Sequence, residues 1–274
     1  MTCYDLHSHS TASDGSLSPE ALIARAIEHN VDVLALTDHD GTEGIAAAKQ
    51  AAQATDLTLI SGVEISVTWG NGTVHILGLN IDPENAELQQ GLTAMRDFRV
   101  GRAHEIAKRL DKAGISGALE GARKYASEVM LGRLHFAKFL VEHNYAKDIP
   151  SVFKRYLVRG KPGYVPGQWT TLHEAVSWIN SAGGQAVIAH PARYKITATK
   201  LRRLITEFKE AGGVGFEVVS GRQHPEEVKN LARLAEKFEL YASCGSDFHT
   251  PDSWAELGML SALPESCTPI WTTF

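Results

Sequence analysis

Short apolar runs alternate with amphipathic stretches along most of the chain. The runs VDVLALT, LTLISGVEISV, VHILGLNI, QAVIAH, VGFEVVS and LYASCGS are rich in Val, Ile and Leu and too short to be helices. Between them, SPEALIARAIEHN, TEGIAAAKQAAQAT, TLHEAVSWINSAGG, TATKLRRLITEFKEAGG and HPEEVKNLARLAEKF place their apolar residues at helical spacing. Ser18 fits the cap of the first helix, with Pro19 at its first position. Two helices run into Gly-Gly, a C-terminal stop. Repeated β-α alternation with nearly continuous apolar strands predicts a parallel sheet covered by helices.

The alternation breaks after about Asp82 and resumes at Thr170. The intervening pattern is mostly helical, so the expected organisation is a β/α domain, 1–97 and 168–274, interrupted by a helical insertion at 98–167. Charge follows the same division. From Arg96 to Lys161 there are 15 Lys and Arg against 7 Asp and Glu, a balance of +8. The rest of the chain holds 12 basic and 25 acidic residues, a balance of −13. An acidic scaffold suits cations, and a basic module suits an anionic substrate.

With 274 residues, 43% of them hydrophobic, the chain can bury a sizeable core. No apolar run approaches the roughly 20 residues of a membrane span, and no signal peptide is visible. Three cysteines without metal-ligand spacing, Cys3, Cys244 and Cys267, suit free thiols in a reducing cytoplasm. Nothing points to an obligate protein partner.

The candidate chemistry lies at the strand ends. His7 and His9 close the first short strand, TCYDLHSH, and Asp14 follows. Asp38 and His39 follow VDVLALT, Glu64 follows LISGV, and His75 lies in or beside VHILGL. His190 ends QAVIAH, and Asp247 and His249 follow YASCGS. In a parallel β/α barrel such ends converge on one face. His-x-His on a strand points both imidazoles to one side, and a carboxylate at Glu64 or Asp247 can bridge two ions. Imidazole with carboxylate suits Mn, Fe or Zn better than Mg or Ca. Taken singly, each residue has a plainer reading: His75 as a core histidine, Glu64 as a strand-end cap, Asp247 as a helix cap. Nine ligand-type residues at strand ends together outweigh those readings. His29, His104, His143, His173 and His224 fall on helices or loops and read as surface or structural.

The blocks DLHSHSTASDG, ALTDHDGTEG, GVEIS, VHILG, IAHP and GSDFH resemble, in order, those of the polymerase and histidinol phosphatase (PHP) family. GRLHFAKFL, GKPGYVP and SCGSDFHTP resemble its stand-alone, trp-linked phosphoesterases. The resemblance implies an α/β fold, a distorted (β/α)7 barrel with an inserted helical cap, and two to three divalent metal ions, Mn2+ foremost, with Fe2+ or Zn2+ compatible. It assigns His7, His9, Glu64 and Asp247 to a first metal, Glu64, His75 and His190 to a second, and Asp14, His39 and His249 to a third. Glu64, His190 and Asp247 thereby become the catalytic set, around a metal-bridging hydroxide that attacks phosphorus. Arg133, His135 and Lys161 of the insertion are assigned to the substrate phosphate. Leu134 stands where relatives often have proline.

The implied reaction is removal of the 3′-phosphate from a 3′,5′-bisphosphonucleoside, such as adenosine 3′,5′-bisphosphate. The alternatives are 5′-3′ exoribonuclease action on short oligonucleotides or ribosomal RNA ends, histidinol phosphate hydrolysis, amidohydrolysis, and a structural metal domain. Tyr164, Phe136 and Trp169 are candidates for stacking on a base, with core packing expected of at least one. Asp38 is one candidate for the general acid.

Overall fold

The computed structural model describes residues 2–126, 130–251 and 255–274. In chain order the elements are β1 (Tyr4–Asp5), α1 (Pro19–Glu28), β2 (Val33–Leu36), α2 (Ile45–Ala52), β3 (Thr58–Trp69) and β4 (Gly72–Leu79). Next come α3 (Ala86–Lys112), α4 (Ala118–Arg123), α5 (Arg133–Glu142) and α6 (Ile149–Val152). The chain continues with α7 (Leu172–Ser181), β5 (Gln185–Ile188), α8 (Ala198–Glu210), β6 (Gly215–Ser220), α9 (Pro225–Lys237) and β7 (Tyr241–Gly245). It divides into two compact units, residues 1–92 with 170–274, and 93–169. The second unit starts a few residues earlier than the sequence pattern indicates, because α3 is continuous across the change in composition.

In the first unit, seven strands hydrogen-bond in sequence order. The sheet closes on itself where the Leu6 N–H donates to the Cys244 carbonyl at 2.9 Å and Ser8 bridges Phe248 in parallel. Local signals set the surrounding helices. The Ser18 hydroxyl accepts from the Ala21 N–H at 3.2 Å and Pro19 opens α1. Thr171 and Glu174 form a capping box on α7.

The expected all-parallel sheet is corrected at one strand. β4 runs antiparallel to both β3 and β5. A two-residue turn, Gly70-Asn71, joins β3 to β4 with Gly70 at φ +57°, the positive φ that glycine tolerates at the first turn position. Antiparallel direction brings the start of β4, not its end, to the level of the ligand-bearing ends of its neighbours.

Side-chain alternation then sorts the barrel. Ile76, Ile188, Phe216 and Val218 join the cluster packed against α7, α8 and α9, including Ile179, Phe208 and Leu231. Val33, Ala35, Leu77, Leu79 and Val187 form a separate apolar cluster. Because faces alternate with period two, His75, Leu77 and Leu79 share one face of β4. A ligand therefore stands over an apolar floor.

The second unit has its own core, with Ile106 and Leu110 of α3, Ala122 of α4, Phe136 and Leu140 of α5, and Val152 of α6. Phe136 is fully buried there, which removes it from the candidates for base stacking.

Gly245 tests the closure of the barrel. A Cβ there would lie 2.2 Å from His7 Cβ and 2.7 Å from the His7 nitrogen. Gly245→Ala should lower stability to urea by about 1–3 kcal/mol, the usual overpacking cost. An unchanged unfolding midpoint would show that β1 and β7 are not tightly apposed.

Candidate metal centre

The ligand-type side chains are held by backbone that extends the ladders past the strand ends. Asp247 N–H donates to the His7 carbonyl at 2.8 Å, and His9 N–H to the Phe248 carbonyl at 2.9 Å. His39 pairs with Glu64 as an isolated parallel bridge. Asp40, His190 and Asp247 have φ values of 46°, 28° and 54°, a left-handed conformation that costs non-glycine residues energy. Strain of this kind persists where surrounding structure dictates it, and here it lies at or beside three ligand positions.

All nine side chains singled out in the sequence come together. Ligand atoms of His7, His9, Glu64 and Asp247 lie within 4.8 Å of one another, as do those of His9, Asp14, His39 and His249, and those of His39, Glu64 and His75. His190 joins through Glu64, its Nε2 lying 2.9 Å from Glu64 Oε1. His9 and His39 thus each belong to two groups, where the family pattern assigns each to one.

Glu64 is the hub. Its Oε1 lies 2.8 Å from His75 Nδ1, and its Oε2 lies 3.2 Å from His7 Nε2, 3.1 Å from His9 Nε2 and 3.1 Å from His39 Nδ1. Asp247 Oδ1 is 3.1 Å from His9 Nε2 and 3.3 Å from His7 Nε2. Asp14 reaches His249 at 3.2 Å and His39 at 3.8 Å.

This donor set fits divalent metal. His7 Nε2 and His9 Nε2 face each other at 3.1 Å, an arrangement two neutral lone pairs do not favour without a proton or cation between them. Asp14 Oδ1, His39 Nδ1, Glu64 Oε2 and His190 Nδ1 are buried, and none makes a well-directed hydrogen bond among the described residues even where a facing nitrogen or oxygen is close. Such atoms cost free energy unless something binds them. Mixed nitrogen and carboxylate oxygen suits Mn, Fe or Zn.

Electrostatics without metal shows the same demand. Burial opposes charge on His9, but the bonds to Asp247 and Glu64 and their charge outweigh it and push its pKa up to about 10. His7 is likewise raised well above the usual range; burial works against the rise, and Asp247, Glu217 and Glu64 drive it. His39 falls to about 4, chiefly through burial. Burial acts to raise Glu64, Asp247 and Asp14, yet the imidazoles facing them hold all three well below the usual carboxylate range.

Several supporting residues escaped sequence analysis. Glu217, fully buried on β6, accepts from His7 Nδ1 at 3.0 Å and from the backbone N–H of His190. It fixes the His7 tautomer so that Nε2 faces the centre. A lone Glu inside the apolar run VGFEVVS was its signal. Arg193 pairs with Asp247 and Tyr194 accepts from the His75 N–H at 2.8 Å. Asp38 has a structural task in this arrangement. Its oxygens accept from Ser10 N–H at 2.8 Å, Ser10 Oγ at 2.7 Å and Ser13 Oγ at 2.5 Å, so it holds the turn that carries Asp14.

In the second unit, Arg133 opens α5 and His135 lies in the same first turn, buried, its Nδ1 accepting the Gly132 N–H at 3.0 Å. That bond places the proton of a neutral ring on Nε2. Arg102, also missed in the sequence, donates to the Val165 carbonyl at 3.2 and 3.0 Å. Burial, with Arg133 and Arg99 nearby, lowers its pKa to about 10. Burial lowers Arg133 too. Lys161 is exposed. Arg99 and Arg102 lie 4.7 and 5.4 Å from the Trp169 ring.

The model of the PHP domain family matches residues 5–218, and the chain belongs to that family. It is 49% identical to "5′-3′ exoribonuclease Rnm" of Escherichia coli strain K12, covering 98% of this chain and 92% of that one. It is 46% identical to the "3′,5′-nucleoside bisphosphate phosphatase" of Chromobacterium violaceum, covering 99% and 96%. A solved structure from Chromobacterium violaceum, described as an amidohydrolase with bound sulfate and no metal, superposes with a TM-score of 0.93 at 46% identity, covering 99% and 95%.

Two outcomes test the centre. Glu217→Ala should weaken Mn2+ binding by about 10–100-fold, the usual effect of losing a ligand's hydrogen-bond partner, measured by titration calorimetry. Unchanged affinity would deny Glu217 that role. The second outcome concerns pH. With His9 titrating near 10 when folded and near 6.5 when unfolded, its stabilisation is full below 6.5 and disappears as pH rises towards 10. Metal-free protein should therefore lose stability to urea from pH 7 to 10, while Mn2+ affinity rises over the same range because metal displaces protons.

Proposed function

We propose that this PHP-family phosphoesterase removes the 3′-phosphate of 3′,5′-bisphosphonucleosides, converting adenosine 3′,5′-bisphosphate to AMP and phosphate. The observation that carries this reading is the convergence of His7, His9, Asp14, His39, Glu64, His75, His190, Asp247 and His249 on shared points. Two to three divalent ions, Mn2+ first among them, complete the centre. Bound there, they supply Lewis-acid activation of water and of the phosphoryl oxygens. Glu64 and Asp247 hold the ligand field in register, and His190, on a left-handed residue, completes it.

The substrate carries two phosphates, and the chain has two centres suited to anions, one in each unit. Arg133 and His135, with Arg102 beside them, take the 5′-phosphate, and Lys161 adds charge. Arginine offers a planar fork for phosphate. Burial, with Arg133 and Arg99 nearby, already disfavours charge on Arg102, and a bound anion relieves that penalty. Tyr164 and Trp169 remain candidates for stacking on the base. A bisphosphate phosphatase 46% identical over nearly the whole chain supports this substrate class.

A second reading uses the same chemistry on a 5′-phosphorylated oligoribonucleotide, whose first internal phosphate takes the place of the 3′-phosphate. The 49% identity to a 5′-3′ exoribonuclease favours it. Amidohydrolysis through a carboxylated lysine is disfavoured, since β1 to β7 carry no lysine. Histidinol phosphate carries an ammonium group beside its phosphate, and a basic cluster disfavours that group. No helix among the described residues is long and apolar enough to cross a membrane. The three cysteines are unpaired, which supports placement in the cytoplasm.

Phosphate release from adenosine 3′,5′-bisphosphate should require Mn2+ and should exceed release from adenosine 3′-monophosphate. Arg133→Ala should reduce kcat/KM for the bisphosphate by about 10–100-fold, the value of a charged hydrogen bond, and leave the monophosphate nearly unchanged. Absence of metal-dependent phosphate release from any bisphosphonucleoside would sink the assignment.

A further inference from the structure

A cleft of about 580 Å³ opens within the first unit, between the β3–β4 turn and the segment leading into α8. Every charged residue lining it is basic: Arg193, Lys195, Lys200 and Arg203. This is unusual for its surroundings, because these are four of only twelve basic residues outside the 96–161 stretch, in a body with a balance of −13. The cleft also adjoins the metal centre through two of its own walls. Arg193 pairs with Asp247, and the Tyr194 hydroxyl accepts from the His75 N–H at 2.8 Å.

The individual side chains refine the picture. Arg203 is already engaged, its Nε 2.6 Å from Glu207 Oε1 and its guanidinium 5.8 Å from the Trp69 ring. Lys195 and Lys200 are exposed, and neither has a side-chain partner among the described residues. Lys200 lies in the first turn of α8, a thirteen-residue helix with no acidic residue in that turn, so the helix dipole adds to the positive potential. Trp69 and Asn71 supply an aromatic edge and an amide.

We infer that this cleft is a second nucleic-acid subsite, which binds the phosphates of single-stranded RNA on the 3′ side of the bond cleaved at the metal centre. The inference rests on the oligoribonucleotide reading above and deepens it. A mononucleotide bisphosphate is too short to need the cleft, whereas a strand extending from the metal centre meets Lys195 and Lys200 with its next phosphates. Lysine acts on phosphate as a point charge and tolerates any sequence, as sequence-neutral strand binding requires.

The test compares wild type with Lys195→Ala/Lys200→Ala, using a 5′-phosphorylated, 3′-fluorescein-labelled RNA pentamer and adenosine 3′,5′-bisphosphate. Anisotropy in EDTA reads binding, and initial rates with Mn2+ read turnover. The double variant should bind the pentamer at least tenfold more weakly and show a salt dependence smaller by about 0.7 per lost phosphate contact. Its KM for the pentamer should rise, and its bisphosphate kinetics should stay within twofold of wild type. Unchanged pentamer binding, or equal losses on both substrates, would overturn the inference. Wild-type protein that binds RNA through the cleft yet hydrolyses neither substrate would refute the functional assignment and leave the subsite standing.

Discussion

The structure depends on one carboxylate. Glu64 is 1% exposed and lies within 3.2 Å of nitrogens from His7, His9, His39, His75 and His190. A charge buried this far is tolerated only when it is matched at close range. The five imidazoles that match it come from four separate places in the chain, so the barrel must be assembled before the match exists. Glu217, Asp38 and the left-handed backbone at His190 and Asp247 serve the same requirement. They fix which atoms turn inward, at a cost in strain and desolvation that ligand binding offsets.

The division of labour along each strand follows. On β4 one face carries His75 above Leu77 and Leu79, and the opposite face packs Ile76 against the helical layer. On β6, Glu217 alternates with Phe216 and Val218 in the same manner. Polar chemistry is confined to one level of the barrel, and the apolar floor beneath keeps water from dispersing its electrostatics. The second unit handles charge differently. Arg102 is buried and Arg99 and Arg133 half-buried, with Arg99 and Arg102 beside the Trp169 ring and Arg133 beside that of Phe153.

Much of this was legible in the sequence because the signals were local or periodic. Ser18-Pro19 marks a helix start whatever surrounds it, and apolar runs followed by His or Asp mark strand ends. The composition change near Asp82 and Thr170 marks the insertion. What stayed hidden required knowledge of partners. The direction of β4 depends on the tight turn at Gly70-Asn71, which periodicity does not report. Glu217 is a single acid in a strand, and its importance exists only once His7 and the His190 backbone are beside it. Arg102 looks like any helical arginine until Arg133 and Arg99 are seen to share its environment. Asp38 stands beside His39 in the sequence, and only the structure shows that its oxygens also hold Ser10 and Ser13.

The interruption between β4 and β5 has a consequence for how the molecule is made. His9 and Asp247, in contact in the finished barrel, are 238 residues apart. On the ribosome, the first four strands emerge with β4 as an open edge, and the insertion must be synthesised before β5 can cover it. The insertion carries its own core and its contacts are local, so it has the means to fold during that delay. The barrel, by contrast, waits for nearly the last strand, and until then its histidines and acids stand apart in a nascent chain with an unprotected sheet edge. The slow, vulnerable stage of biogenesis is therefore the half-barrel, and the arrival of β7 decides when it ends.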